Sequence, residues 1–171
     1  MASAIIDDLG REPPFASIGS AWQLLTDRVM GGVSQGTMVR EVVAGRAAIR
    51  MRGEVRLENN GGFVQMALDL SPDGGTVDAS AWAGIELDVF GNGCEYGVHL
   101  RTDALTRPWQ SYRQVFTAEA QWRTVPLPFD RFVAHRTAVP LDTRRLRRIG
   151  IVAIGRAFTA DLAVGGLRYV R

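Results

Sequence analysis

The sequence has little of the chemistry from which disulfides, metal centres and catalytic sites are built. It contains one cysteine, Cys94, two histidines, His99 and His135, and no lysine, so that all twenty cationic residues are arginine. A single cysteine excludes an internal disulfide and is typical of a reduced, intracellular protein. Neither histidine has a second histidine or a cysteine at metal-ligand spacing. We therefore expect both histidines to be structural or surface residues, and predict no metal and no cofactor.

Long apolar runs are also absent. No stretch approaches the roughly 18 apolar residues of a membrane-spanning helix. Residues 1–14 lack both the basic region and the apolar region of a signal peptide. We therefore expect an untargeted, cytoplasmic protein with no transmembrane segment.

The charge balance is close to neutral. A formal net charge of +2 is too small to indicate a polyanionic partner. The densest basic cluster, Arg144, Arg145, Arg147 and Arg148, stands before an apolar run and is not interleaved with aromatic residues. This pattern favours a strand entry with surface ion pairs, so we predict no nucleic-acid partner.

Catalytic motifs are missing. The sequence has no G-x-x-x-x-G-K-[ST] phosphate loop, no G-x-G-x-x-G after a strand and no G-x-S-x-G nucleophile elbow. Glu86 and Asp88 are expected on an exposed strand face, whereas a glycosidase needs two carboxylates across a cleft. An enzyme is therefore the least favoured class, and we predict a non-enzymatic protein.

Two-residue alternation of apolar and polar residues dominates what is present, and it predicts half-buried strands. Residues 84–90 and 96–101 both show it, and Gly91-Asn92-Gly93 between them predicts a turn that closes an antiparallel hairpin. The other predicted strands are 21–26, 37–43, 46–57, 62–70, 109–117, 121–127, 147–154 and 160–170.

About ten short strands separated by turn residues are typical of a sandwich or a barrel. Helical candidates are short, at 5–9 and 128–133. The sequence therefore predicts an all-β, single-domain antiparallel sandwich over residues 1–171. Its first candidates for packing in the core or at the core rim are Trp22, Phe63, Trp82, Phe116 and Trp122.

Two glycine-rich corners carry an unusual concentration of chemistry. The first corner, residues 26–34, reads Thr-Asp-Arg-Val-Met-Gly-Gly-Val-Ser, and the second corner, residues 57–63, reads Leu-Glu-Asn-Asn-Gly-Gly-Phe. Glycine pairs permit positive φ and close backbone approach, while Asp and Asn side chains cap turns. The absence of a following lysine or helical pattern excludes a phosphate-binding loop at Gly31-Gly32.

These corners, together with Trp22, make the sequence resemble the complex I intermediate-associated protein 30 family. The similarity continues through positions in the rest of the chain, among them Arg101, Tyr112, Phe116, Trp122, Pro126, Phe129, Phe132, Arg136 and Arg148-Ile149-Gly150. The resemblance implies a galactose-binding-like, jelly-roll β-sandwich. It also implies assistance in the assembly of respiratory NADH:ubiquinone oxidoreductase, through a complex subunit or assembly intermediate that could hold the protein at the periphery of the inner membrane.

The resemblance leads us to expect that the two corners lie side by side at one end of the sandwich. Asp27 could then pair with Arg28 or Arg101, and the amides of Asn59 and Asn60 could close the turns. Two alternatives remain open for this cluster, which either holds the fold or forms a binding site.

Two functions are compatible with these residues. The first is a protein-binding module, which exposed apolar residues such as Val29 and Met30 would suit. The second is a carbohydrate-binding module, in which Trp109 would stack on a sugar, Arg101 would donate to hydroxyl groups and Tyr112 would line the face. The candidate binding residues are Asp27, Arg28, Met30, Gly31, Gly32, Ser34, Asn59, Asn60, Arg101, Trp109, Tyr112 and Arg136.

Overall fold

Alternating apolar residues form the strands of two stacked antiparallel sheets in the computed structural model, which describes residues 4–171. Residues 1–3 lie outside the described residues. They begin the segment that we expected to lack the features of a signal peptide. The strands are β1 (Ile5–Asp7), β2 (Gln23–Thr26), β3 (Gln35–Val43), β4 (Arg46–Val55), β5 (Phe63–Asp69), β6 (Gly84–Phe90), β7 (Glu95–Thr102), β8 (Ser111–Thr117), β9 (Arg123–Pro128), β10 (Val133–His135), β11 (Leu146–Ile154) and β12 (Phe158–Val170). Single 3-10 turns cover Asp27–Met30, Glu58–Asn60, Phe129–Arg131 and Thr143–Arg145.

The first sheet has the strand order β3-β4-β12-β6-β9, with β1 also paired to β12, and the second has the order β10-β8-β7-β11-β5-β2. Both sheets turn one face inward, and the side chains of the two inner faces form one core. Examples with no exposed surface are Met51, Leu87 and Leu162 from the first sheet and Met66, Val98 and Ile151 from the second. The predicted all-β sandwich is confirmed, as is each strand position that the alternation indicated.

The predicted hairpin between residues 84–90 and 96–101 is wrong. Strand β6 pairs with β12 and β9 in the first sheet, whereas β7 pairs with β8 and β11 in the second. The turn at Gly91-Gly93 donates its N–H groups to the carbonyl oxygens of Glu119 and Ala118. The turn residues therefore supply a bend that crosses between the sheets, because a local bend does not decide which sheet the next strand joins.

Two other local expectations need correction. Residues 5–7 form strand β1 rather than a helix, because they pair with β12 at Leu167–Arg168, beyond the part of β12 that pairs with β4. Asp88 is 5% exposed rather than on an open face. Its carboxylate lies 2.7 Å from Arg46 Nη2 and 2.9 Å from Arg168 Nη1, so the buried charge is compensated.

The basic cluster behaves as predicted at the entry to β11. Arg144 pairs with Asp142, Arg145 with Asp103 and Arg148 with Asp69. Of the aromatic residues expected to pack, Trp22 and Phe116 are buried in the core, and Phe63, Trp82 and Trp122 are half-buried. The predicted helical segment at 128–133 contains the 3-10 turn Phe129–Arg131.

Candidate functional site

The two glycine-rich corners lie side by side, as the family resemblance led us to expect. The first corner leaves the end of β2 and the second leads into the start of β5, and these strands are paired at Thr26 and Val64. The side-chain amide of Asn59 donates to the carbonyl oxygen of Gly31 at 3.2 Å and so joins the corners directly. Asn60 contributes through its backbone, which adopts a positive φ of 60°.

Asp27 is the centre of this end of the molecule and has no exposed surface. Its carboxylate accepts hydrogen bonds from the backbone N–H groups of Ser34 at 2.9 Å, Gly62 at 2.6 Å and Phe63 at 3.3 Å, and from the Ser34 hydroxyl. Burial acts to raise the pKa of Asp27, but the hydrogen bonds from Ser34, Gly62 and Phe63 outweigh it and lower that pKa below its ordinary value. The carboxylate therefore stays charged and clamps the corners together.

Glycine is required beside this clamp because the backbone passes close to the Asp27 carboxyl group. A Cβ atom added at Gly32 would stand 2.5 Å from the Asp27 carboxyl carbon, and one added at Gly61 would stand 2.6 Å from its Oδ2. Gly31 and Gly62 serve a different need, since their φ values of 85° and 131° lie in the region that L side chains avoid. The corner around Asp27 is therefore filled and hydrogen-bonded rather than an open polar pocket.

The expected ion pair of Asp27 with Arg28 or Arg101 is wrong. The partners of Asp27 are main-chain N–H groups and a hydroxyl, while Arg28 Nε donates to the carbonyl oxygen of Ser34 at 2.9 Å. Arg101 lies at the other end of the sheet. On β7, Arg101 lies opposite Arg148 of β11, and Arg148 in turn lies opposite Asp69 of β5. Asp69 is the last residue of β5, whereas the clamp is at the first residue of that strand. Seven residues of strand span about 20 Å.

Beside the clamp, three large apolar side chains point into solvent. Val29 is 74% exposed and Met30 is 59% exposed in the first corner, and Leu57 is 49% exposed in the second. We call these three residues the apolar tip. Their backbone is held by the clamp, so the tip is an apolar surface on an ordered corner.

Arg101 organises the loop between β7 and β8 rather than facing solvent alone. Its guanidinium donates to the carbonyl oxygens of Arg107, Pro108 and Gln110. This fixes the segment that carries Trp109, whose side chain is 55% exposed. Gln110 in turn donates from its side chain to the carbonyl oxygen of Arg136 at 3.1 Å.

The remaining candidates divide by exposure. Arg136 is exposed, with a positive φ of 57°. Tyr112 is 1% exposed and donates its hydroxyl hydrogen to the carbonyl oxygen of Val139 at 2.8 Å. The side chain of Tyr112 therefore packs in the core and has no exposed surface for a sugar ring, in contrast to Trp109.

Sequence reasoning missed the polar residues on the outer face of the second sheet. His99 pairs in register with Arg113, and His135 pairs with Ser111. Paired residues point to the same side of a sheet and residues two apart share a face, so these four side chains lie together, opposite Tyr112. The alternation around His99 was visible in the sequence, but the pairing of β8 with β7 and β10 was not.

Residues 4–171 contain neither a metal site nor a membrane-spanning helix. No group of three or more His, Cys, Asp or Glu side chains is placed to hold a metal ion. No helix in this part of the chain has the length and apolar content needed to cross a membrane.

Comparison with known proteins gives one family and one fold. The model of the complex I intermediate-associated protein 30 (CIA30) family matches residues 15–164. A family 11 carbohydrate-binding module from Clostridium thermocellum, solved with a β-1,3-1,4-mixed-linked tetrasaccharide, has 14% identity and a TM-score of 0.76, covering 98% of this chain and 94% of that chain. A family 30 carbohydrate-binding module of a C. thermocellum cellulosomal cellulase has 15% identity and a TM-score of 0.60, covering 78% and 82%. No curated protein matches the sequence.

At these identities the structural likeness establishes the fold and nothing finer. It confirms the expected galactose-binding-like jelly-roll sandwich. What the solved modules bind is a property of those modules.

Proposed function

Because the chain belongs to the complex I intermediate-associated protein 30 family, we propose that it is a non-enzymatic protein-binding module that assists the assembly of respiratory NADH:ubiquinone oxidoreductase. Its partner would be a subunit or an assembly intermediate of that complex. The family match supports this proposal over most of the chain, and the apolar tip supplies a surface for it.

The exposure of the apolar tip is the observation that carries the proposal. Val29 and Met30 belong to the first corner and Leu57 to the second, and the Asp27 clamp holds these two corners, which are distant in sequence, against each other. Large apolar side chains gathered on a surface are typical of protein contacts. Methionine suits such a contact because its flexible, polarisable side chain adapts to the partner.

The test is affinity capture with chemical crosslinking from native membranes, followed by identification of the captured subunits. The variant V29S/M30S should fold normally but lose crosslinks to complex I subunits. The control variant V39S/V42S removes two comparably exposed apolar side chains from β3, where Val39 is 51% and Val42 is 71% exposed. It should retain the crosslinks.

Two results would contradict this proposal. One is capture that recovers no complex I subunit from membranes that contain the assembling complex. The other is equal recovery of those subunits by both variants and the native chain, since the tip would then not be the contact.

A carbohydrate-binding function is the second candidate. The observation that favours it is Trp109, which is 55% exposed and lies on the loop fixed by Arg101, with the Arg107 guanidinium 6.0 Å from its ring centroid. An exposed, positioned aromatic ring can stack on a sugar. Calorimetric titration with soluble mixed-linked glucan should then give saturable binding that Trp109→Ala abolishes, and a flat titration would remove this candidate.

A further inference from the structure

The outer face of the second sheet carries small or buried residues along its middle. Four positions there point away from the core, since each is in register with other outward-facing residues, yet all four are buried: Ala67, Gly97, Gly150 and Val152. We call this strip of the face the recess. The Gln65 side chain lies over Gly150, since a Cβ atom added there would collide with Gln65 Oε1. A Cβ atom added at Gly97 would lie 3.6 Å from His99 Nε2, so the imidazole borders the recess.

The side chains around His99 carry positive charge without a nearby acid. Arg113 is half-buried, and its Nε donates to the Ser111 hydroxyl at 2.8 Å. Within residues 4–171, Arg113 is in none of the ion pairs. Burial lowers the pKa of Arg113, and the positive charge of Arg136 adds to the effect.

Both histidines respond to the same field. Burial lowers the pKa of His99 to about 3, and Arg113 and His135 act in the same direction. Burial also lowers the pKa of His135, again with contributions from Arg113 and Arg136. Since every charged neighbour that perturbs these groups is cationic or an imidazole, the recess has an uncompensated positive potential.

On the first sheet, two outward-facing arginines have carboxylate partners, unlike Arg113. On its outer face Arg50 pairs with Glu41 and Asp161, and Arg168 pairs with Glu86 and Asp88. Arg40 and Arg101 are also half-buried without a carboxylate partner, but their guanidinium groups donate to main-chain carbonyl oxygens, two for Arg40 and three for Arg101. Within residues 4–171 the acceptor of the Arg113 guanidinium is the Ser111 hydroxyl alone. Desolvation makes such a cation costly unless an anion joins it.

We propose that this recess binds an oxyanion group, the carboxylate or phosphate of a small ligand, between Arg113 and the two imidazoles. The Arg113 guanidinium presents a planar fork of N–H donors that matches two oxygen atoms of either group. A neutral imidazole has one N–H donor, so His99 and His135 can each add a hydrogen bond. This site is distinct from the apolar tip and does not depend on the proposed assembly function.

The chain offers a local readout, because its only two histidines both lie on this face. Protein labelled with 15N-histidine is titrated separately with inorganic phosphate and with malonate, against sodium chloride at equal ionic strength. We expect saturable shifts of both imidazole signals with at least one of the two anions. Response to phosphate alone or to malonate alone supports the proposal and identifies the group.

Three variants show whether Arg113 is the anchor. Arg113→Gln should weaken anion binding about tenfold or more, since it removes a charge-assisted hydrogen bond. Arg113→Lys keeps the charge but loses the fork, so it should bind with intermediate affinity, and it serves if the glutamine variant does not fold. Arg123→Gln removes the same charge from an exposed position on β9 of the first sheet and should bind like the native chain.

The proposal is overturned if neither anion shifts the imidazole signals beyond the chloride control. It is equally overturned if the shifts do not saturate, or if Arg113→Gln and Arg113→Lys bind as well as the native chain. Equal weakening by Arg123→Gln would show that only the net charge matters and would also reject a specific site.

Discussion

Replacing Asp27 by alanine should lower the free energy of unfolding by about 4 kcal/mol. The substitution leaves the N–H groups of Ser34 and Gly62, at 2.9 Å and 2.6 Å from the carboxylate, without an acceptor at a site with no solvent exposure. Each buried donor left unsatisfied costs about 1–3 kcal/mol. The weaker bond from Phe63 and the loss of the Ser34 hydroxyl contact add to the sum. A total of this size is a large share of the roughly 5–15 kcal/mol that stabilises a domain.

Urea denaturation followed by circular dichroism measures this loss, and thermal unfolding should show a fall in Tm of about 10 °C for a chain of this length. Asp27→Asn adds information because it keeps the shape. One side of the asparagine amide carries N–H donors, which would face the N–H donors of the corner, so we expect a loss of about 2–3 kcal/mol.

The matched control is Asp73→Ala. Asp73 also accepts a backbone N–H, from Gly75 at 2.8 Å, and a hydroxyl, from Ser71, but it is exposed, so water can replace it. Its removal should therefore cost much less stability than the removal of Asp27. If Asp27→Ala costs no more than Asp73→Ala, the argument that Asp27 clamps the corners is refuted. Unchanged stability together with lost partner capture would instead show that Asp27 serves partner binding rather than the stability of the fold.

Two further predictions concern charge. Asp88→Asn leaves Arg46 and Arg168 without their shared carboxylate and should lower the free energy of unfolding by about 2 kcal/mol, as measured by urea denaturation. The loss is smaller than for a fully buried ion pair because both arginines are partly exposed. An unchanged denaturation midpoint would show that these ion pairs contribute nothing to stability. The pKa of His99 is about 3 in the folded chain and near 6.5 in the unfolded chain. As pH falls, the unfolded chain therefore binds the proton first. The free energy of unfolding should fall between about pH 6.5 and pH 3, by up to about 1.4 kcal/mol per pH unit. The variant His99→Gln should flatten this slope, and an NMR titration in which His99 protonates near pH 6.5 would contradict the prediction.

Much of the fold follows from the sequence because one face of each strand must be buried. Alternation of apolar residues identified ten of the strands, including the long β12, but it carries no information on which strands are neighbours. Strands β1 and β10 were missed because three residues each are too few to show a period. The crossing at Gly91-Gly93 was missed because the chemistry of a turn is the same within a sheet and between sheets.

The candidate site was predictable in its position but not in its bonding. The family resemblance carried by the two glycine-rich motifs led us to expect that the corners adjoin, and the structure confirms it. The partners of Asp27 are main-chain N–H groups, which every residue other than proline possesses, so no sequence pattern distinguishes them. An arginine partner was expected because only side chains are visible in a sequence. The cluster around Arg113 was missed for a related reason, since three separate strands must pair before its members meet.

Holding the fold and binding a partner are not exclusive roles for the corners. A flexible loop that must become ordered on binding loses affinity to the entropy of its backbone. The hydrogen bonds to Asp27 already fix the backbone on both sides of Val29 and Met30, so only the side-chain freedom of the apolar tip remains to be lost when a partner binds. The buried carboxylate would then act on affinity without touching the partner. On this argument Asp27→Asn, even at a temperature where the chain is fully folded, should weaken crosslinking at the tip by increasing the dissociation rate, whereas V29S/M30S should weaken it with no change in Tm.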